Sequence, residues 1–141
     1  MNTQAIGKAA EQLACRYLQT QGLRHVSQNF NRRMGEIDLI MFDDNAKSWV
    51  LVEVRYRKNS RYGNPAISVD RNKQSKLKVA ARAFLQQHAQ PQHAARIDVV
   101  ALSPLDPSAA EEMERSLTLH GRVSTEFEDH ALDWFINAID G

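Results

Sequence analysis

The chain has almost no cysteine and no long apolar run. Cys15 is the single cysteine among 141 residues, which excludes an internal disulfide framework and is typical of a reducing compartment. No apolar run approaches the roughly 20 residues that span a bilayer, and the first residues lack the pattern of a secretory signal. We therefore expect a cytoplasmic protein without membrane contact.

Several common kinds of site are also missing from the sequence. The five histidines, at positions 25, 88, 93, 120 and 130, do not have the spacing of zinc ligands. No glycine-rich phosphate loop or dinucleotide fingerprint occurs. The hydrophobic share of 43% and the charged share of 25% are ordinary for a globular protein, and the length predicts one domain over residues 1–141.

The net charge of +1 conceals a strong asymmetry along the chain. Residues 55–82 hold nine Lys or Arg against one acid, Asp70, a net charge of +8. Residues 105–141 hold nine acids against Arg115 and Arg122, a net charge of −7. A basic block suits a phosphate backbone as ligand, and the alternative is a solvated helix face balanced by an acidic tail.

Apolar periodicity predicts the element order α-β-β-β-α-β, a layered α/β or α+β domain. We expect a long, flexible loop over 103–125, where Pro104 and Pro107 precede a Ser/Thr-rich stretch, and a short terminal helix or turn over Ala131–Ile139. The predicted helices are residues 4–21 and Asp70 to about His88, and the predicted strands are Leu23–Phe30, Gly35–Phe42, Trp49–Tyr56 and Ala94–Leu102.

Two neighbouring strands carry acids among apolar residues. A hairpin turning at residues 43–45 brings Asp38 and Glu53 onto adjacent strands, and strict alternation puts Asp38 on the face of Ile40, opposite Ile37. Mg²⁺ prefers one or two carboxylates, completed by water and substrate phosphate. The pair is thus a candidate metal site for phosphodiester hydrolysis, and the alternative is that both acids are solvent-facing residues of a half-exposed hairpin.

Arg55 follows Glu53 on the same strand face, where it can clamp a phosphate or neutralise the carboxylates. A guanidinium keeps its proton, with a pKa above about 12, so Arg55 cannot deprotonate water as a lysine can. Either a metal alone activates the water, or the site is catalytically weak, or it only binds.

Five short motifs occur in a specific order along the chain. They are Ala10-Glu11, Gly35-Glu36-Ile37-Asp38-Leu39-Ile40, Val52-Glu53-Val54-Arg55-Tyr56-Arg57, Lys73-Gln74-Ser75-Lys76-Leu77 and Arg96-Ile97-Asp98-Val99-Val100. The set resembles the YraN-like family of bacterial proteins. These are predicted endonucleases, similar to archaeal Holliday-junction resolvases within the PD-(D/E)xK superfamily. Members of that superfamily normally have lysine where this chain has Arg55.

The resemblance implies a restriction-endonuclease-like fold, in which helices flank a mixed central sheet. It implies that Asp38 and Glu53 hold Mg²⁺ or Mn²⁺ and that Glu11 is an assisting acid on the first helix. Gln74 matches a glutamine that lies near the site in resolvase-like members. Because resolvases act as two-fold dimers, a homodimer is also expected.

The sequence thus predicts a metal-dependent nuclease that cuts branched or single-stranded DNA with little sequence specificity. Catalysis is assigned to Glu11, Asp38, Glu53, Arg55 and Gln74. The two alternatives are a non-catalytic nucleic-acid-binding protein with the nuclease fold and a protein-interaction module. The residues predicted to grip nucleic acid are Arg57, Lys58, Arg61, Lys73, Lys76 and Arg82.

Overall fold

One mixed sheet forms the centre of the protein. The computed structural model describes residues 3–57, 71–105, 117–119 and 121–139. These residues form two helices and seven strands: α1 (Thr3–Thr20), β1 (Arg24–Arg32), β2 (Gly35–Asp43), β3 (Ser48–Tyr56), α2 (Arg71–His88), β4 (Ala94–Pro104), β5 (Leu117–Leu119), β6 (Arg122–Phe127) and β7 (His130–Ile139). The strand order is β1-β2-β3-β4-β7-β6-β5, in which β3 and β4 are parallel and the other neighbours antiparallel.

The two helices cover opposite faces of this sheet. Leu18 of α1 belongs to one apolar cluster with Val50 and Val52 of β3, whereas Phe84 of α2 belongs to a second cluster with Leu51. Successive strand residues point to opposite faces, so the two clusters lie on the two sides of β3. The predicted α/β class, a mixed sheet flanked by helices, is confirmed. Neither described helix has an apolar stretch long enough to cross a bilayer.

Gly35, the first residue of β2, fixes where α2 lies on the sheet. A Cβ atom at this position would come within 2.0 Å of the Lys76 carbonyl oxygen and 3.2 Å of the Ala80 amide nitrogen. The helix backbone therefore rests directly on the strand, an approach that only glycine permits. The same contact places the first turn of α2 beside the end of β3.

The predicted terminal helix is wrong, because residues 130–139 form β7. This strand lies between β4 and β6 and pairs with both. Apolar side chains on both of its faces are buried, including those of the neighbours Trp134 and Phe135. A strand covered on two faces shows a continuous apolar run instead of alternation, and such a run cannot be told from a short helix by periodicity.

The predicted loop over 103–125 is also shorter than expected where it is described. Ser103 and Pro104 still belong to β4, and residues 117–119 and 122–125 lie in β5 and β6. Residues 106–116, with Pro107, lie outside the described residues, as does Asp70, with which the predicted second helix begins.

Candidate active site

Asp38 and Glu53 lie where β2 and β3 separate. The ladder between these strands ends at the pair Leu39 and Val52. Asp38 and Glu53 are the next residues beyond that pair, one on each strand. The Asp38 Oδ2 atom accepts a hydrogen bond of 2.8 Å from the Val54 backbone N–H. The carboxylate thus replaces the strand carbonyl that a continued ladder would offer, and the backbone donor stays satisfied. The predicted juxtaposition of the two acids is therefore present.

The side-chain alternation of β2 breaks at Asp38, which the sequence reasoning missed. Ile37 packs in the α2 cluster together with Ile40, while Leu39 packs in the α1 cluster. Across the ladder, Asn29 lies between the partners of Leu39 and Ile37 and has a left-handed φ of 52°. Both strands therefore kink at the level of Asp38. Ile37 consequently lies on the face of Ile40, and not opposite it as strict alternation predicts.

Glu53 is a buried carboxylate with one satisfied and one unsatisfied oxygen. Its side chain is 1% exposed, and Oε1 lies 3.2 Å from Lys73 Nζ and 3.9 Å from Arg55 Nη1. Oε2 is buried and has no hydrogen-bond partner among the residues that the structure describes. A buried acceptor left in this way costs free energy unless a proton or a cation reaches it.

The surroundings of both acids favour their neutral forms. The pKa of Glu53 is raised to about 8, first by burial and then by the negative charge of Asp38, with Lys73 acting in the opposite direction. Burial also raises the pKa of Asp38, although the Val54 N–H and the interaction with Glu53 oppose the shift. Two buried acids side by side attract a cation more strongly than either would alone.

Lys73 of α2 lies closer to Glu53 than Arg55 does, although its sequence position suggested a place on the phosphate-gripping face. Burial lowers the pKa of Lys73, but the charge of Glu53 and the hydrogen bond to it outweigh burial, so the pKa is raised and the amine stays protonated. The contact depends on how α2 packs on Gly35, which a local pattern does not reveal. The sequence did offer one signal for this contact: Lys73 directly precedes Gln74, which the resemblance places near the site.

Glu11 of α1 approaches the same region from the other face of the sheet. Its pKa is raised to about 6, by burial first and then by Asp38 and Glu36, while a hydrogen bond with the Asn29 side chain opposes the shift. Glu11 does not complete a cluster of three protein ligands, because no group of three His, Cys, Asp or Glu in the described chain could hold a metal ion. Gln74, half-buried on α2, follows Lys73 directly.

The predicted basic face is divided by the structure. Lys76 is exposed beside the turn between β1 and β2, whereas Arg82 lines a separate cavity of about 150 Å³ between α2 and β4. Arg57 directly follows β3, and its backbone N–H donates to the Leu102 carbonyl over 2.8 Å. Lys58 and Arg61 lie outside the described residues.

Asp98 of β4 is a further buried carboxylate, to which the sequence motif gave no role. It is fully buried and accepts hydrogen bonds from Trp134 Nε1 at 2.9 Å and from the Asn137 N–H at 2.8 Å. Arg96 Nε lies 3.1 Å from Oδ1. Burial raises the pKa of Asp98, but the Asn137 N–H, Arg96 and Trp134 oppose the shift. Because both oxygens have partners, Asp98 joins β4 to β7 and is not a ligand site.

The part of the chain from the middle of α1 to near the end of β4 matches a known protein family. Residues 10–102 match the uncharacterised protein family UPF0102, and the chain belongs to that family. The match contains Glu11, Asp38, Glu53 and Lys73. The resemblance to YraN-like proteins is therefore confirmed, while the likeness to nucleases stays a prediction.

Relatives from several bacteria carry the same name. A UPF0102 protein of Nitrosococcus oceani is 46% identical over 98 residues, which are 69% of this chain and 77% of the relative. One from Stutzerimonas stutzeri is 44% identical over 102 residues, 72% of this chain and 83% of the relative. One from Psychrobacter cryohalolentis is 37% identical over 137 residues, 94% of this chain and 78% of the relative.

Proposed function

We propose that this protein is a divalent-metal-dependent phosphodiesterase that acts on DNA, with Asp38 and Glu53 as the protein ligands of Mg²⁺ or Mn²⁺. The observation that carries the proposal is the pair of buried, interacting acids Asp38 and Glu53, of which Glu53 Oε2 has no hydrogen-bond donor among the described residues. A hard divalent cation accepts one or two carboxylates and completes its shell with water and phosphate oxygens, so a site with two protein carboxylates suits Mg²⁺.

The chain's own side chains supply the rest of the site. When bound, the cation would polarise the phosphate and lower the pKa of a water molecule. Lys73 and Arg55 place positive charge within 4 Å of Glu53, where negative charge on a phosphate increases during hydrolysis. Glu11, with its raised pKa, is suited to exchange a proton near neutral pH. Gln74 would orient water or phosphate from the helix.

Calorimetric titration with Mn²⁺ tests the metal site separately from catalysis. Wild-type protein should bind the ion, and Asp38→Asn and Glu53→Gln should each weaken binding by at least about tenfold, because each removes one charged ligand. Asp44→Asn is the matched control, since Asp44 is exposed and pairs with Arg24 beyond the other end of β2. Equal affinity in all four proteins would refute the proposed metal site.

Cleavage of labelled single-stranded, flapped, junction and duplex DNA tests the reaction. We expect metal-dependent cutting that falls by about 100-fold or more in Asp38→Asn and Glu53→Gln. If wild type binds DNA and Mn²⁺ but cuts none of these substrates, the binding-protein alternative replaces the enzyme. That alternative is favoured by one observation, the Lys73 ammonium, which already neutralises Glu53 without a metal.

Replacing Arg55 by lysine distinguishes a disabled enzyme from a complete one. If Lys73 already supplies the required cation, Arg55→Lys should change the cutting rate by less than about threefold, or roughly half a kcal/mol in barrier. A silent wild type with an active Arg55→Lys variant would identify a disabled nuclease. Silence in both would remove most of the support for a nuclease.

A further inference from the structure

An open groove runs along the turn between β1 and β2. It has a volume of about 600 Å³ and is lined by residues 31–36 together with Lys76 of α2. We call it the basic groove, because the described residues that line it include three cations, Arg32, Arg33 and Lys76, and one acid, Glu36. Of the residues predicted to grip nucleic acid that the structure describes, Lys76 belongs to it.

The walls of the basic groove are held in place before any ligand binds. The Gly35 backbone packs directly against the Lys76 carbonyl, which joins the turn to α2. The Arg32 guanidinium lies 4.1 Å from the centre of the Phe30 ring and donates to the Asn31 carbonyl at 2.9 Å. A groove that is already ordered loses little conformational entropy when a ligand binds.

Met34 gives the groove an apolar tip. Its side chain is 67% exposed, more than that of any other large hydrophobic residue in the described chain, and it directly follows Arg32 and Arg33. A flexible thioether exposed in this way beside cations packs little against the described residues. Methionine is one of the apolar side chains that proteins insert between bases, and cations beside such a wedge contact the neighbouring phosphates.

The basic groove adjoins the carboxylate pair. Glu36 lines the groove and lies two residues before Asp38 on the same strand. Its charge contributes to the raised pKa values of Asp38 and Glu11 and acts on Lys73 as well. A ligand in the groove would therefore extend toward the two acids.

We propose that the basic groove binds an unpaired segment of nucleic acid, with phosphates on Arg33 and Lys76 and a base against Met34. This inference rests on the proposed function, because it supplies the segment that leads the strand to Asp38 and Glu53. An unpaired strand fits better than duplex, since a base presents its face to Met34 only when it is unstacked. The volume is also within the range of small-ligand sites, about 300–1,000 Å³, and suits a few nucleotides instead of a helix.

Fluorescence anisotropy in EDTA measures binding without cleavage. The probes are labelled single-stranded DNA, single-stranded RNA and duplex DNA, each titrated with the full chain over a range of salt. The double variant Arg33→Gln/Lys76→Gln should weaken single-strand binding by about tenfold or more and reduce the salt slope by about 1.4, since two phosphate contacts are lost at roughly 0.7 each. Urea titration checks that each variant is folded.

Met34→Ser tests the base contact. It should weaken single-strand binding by about three- to tenfold, less than loss of an aromatic stacking residue, and change duplex binding by less than about twofold.

Lys47→Gln is the control for lost charge, because Lys47 is exposed in the turn at the other end of β2. It should leave affinity within about twofold of wild type.

The outcomes separate the groove from the catalytic proposal. Unchanged single-strand affinity in the double variant would overturn the groove, even if Asp38→Asn abolishes cutting. Reduced affinity in a protein that never cuts would support the groove and overturn the phosphodiesterase. An effect of Met34→Ser that is equal on duplex and single strand, or competition by polyglutamate as strong as by DNA, would also overturn the groove. Comparison of the DNA and RNA probes identifies the preferred sugar.

Discussion

Replacing Gly35 by alanine tests the contact that places α2, and with it Lys73, over the carboxylates. The new Cβ would lie 2.0 Å from the Lys76 carbonyl oxygen, whereas ordinary contact begins at 3.4 Å. The helix must therefore move away from β2 by about 1.4 Å, since a backbone carbonyl cannot rotate out of the way as a flexible side chain can. Lys73 lies about one turn before Lys76 on the same helix and therefore moves with it.

The expected cost follows from that displacement. Overpacking of a close contact destabilises a protein by about 1–3 kcal/mol. Weakening the 3.2 Å contact between Lys73 and the buried Glu53 adds to this, so we expect a loss of about 2–4 kcal/mol in the free energy of unfolding. Urea denaturation measures the loss as a lower midpoint with an unchanged slope. Any DNA cutting should fall by up to about 100-fold, because a displacement near 1 Å misplaces the cation.

Gly7→Ala is the matched control, because the same substitution there should have the opposite sign. Gly7 lies inside α1, and a Cβ added to it meets nothing within 4 Å. Alanine in a helix interior is more stable than glycine by roughly 0.5–1 kcal/mol. If Gly35→Ala instead leaves the free energy of unfolding within about 0.5 kcal/mol of wild type, the inferred anchoring of α2 is refuted.

Three further substitutions address the buried charges. Wild-type stability should fall as pH rises from about 5 to about 8, because native Glu53, with its raised pKa, keeps a proton that the unfolded chain releases. Glu53→Gln should reduce that slope in urea titrations, above all between about pH 6 and about pH 8, while the raised pKa values of Glu11 and Asp38 leave part of the slope at lower pH. An unchanged slope would contradict the assignment. Lys73→Met should cost about 1–3 kcal/mol at pH 8 and much less when combined with Glu53→Gln, as a double-mutant cycle would measure; full additivity would refute the coupling. Asp98→Asn should cost about 2 kcal/mol and alter Trp134 fluorescence, and an unchanged emission spectrum would exclude the predicted contact.

Local patterns in the sequence were sufficient for the first six elements. The periodicity of 3.6 residues located α1 and α2, and the predicted hairpin put Asp38 and Glu53 on adjacent strands. Its turn lies at residues 44–47 and not at 43–45, because Asp43 still pairs with Ser48. The terminal strand was missed because β7 is buried on both faces, where the pattern of a strand disappears. Because such patterns describe one element at a time, they do not distinguish a strand that is buried on both faces from a short helix.

Lys73 could not be placed from the sequence for a different reason. Its distance from Glu53 depends on the approach of α2 to Gly35, a contact between residues about 40 positions apart. The motif glycine was visible, but a glycine alone does not reveal which backbone comes close to it. Likewise, the kink at Asn29 and Asp38 breaks the alternation on which the sequence argument relied.

The two cations at Glu53 limit the chemistry that the site can perform. A guanidinium such as that of Arg55 does not act as a base in proteins, and Lys73 keeps its proton because Glu53 and Asp38 raise its pKa. Neither side chain can take a proton from water. A hydrolytic reaction here would therefore need a divalent cation to activate water, or a carboxylate such as Glu11 to accept its proton. Lys73 would neutralise Glu53 before the cation binds and contact phosphate oxygens afterwards, and in that division of roles an arginine at position 55 is compatible with a working site.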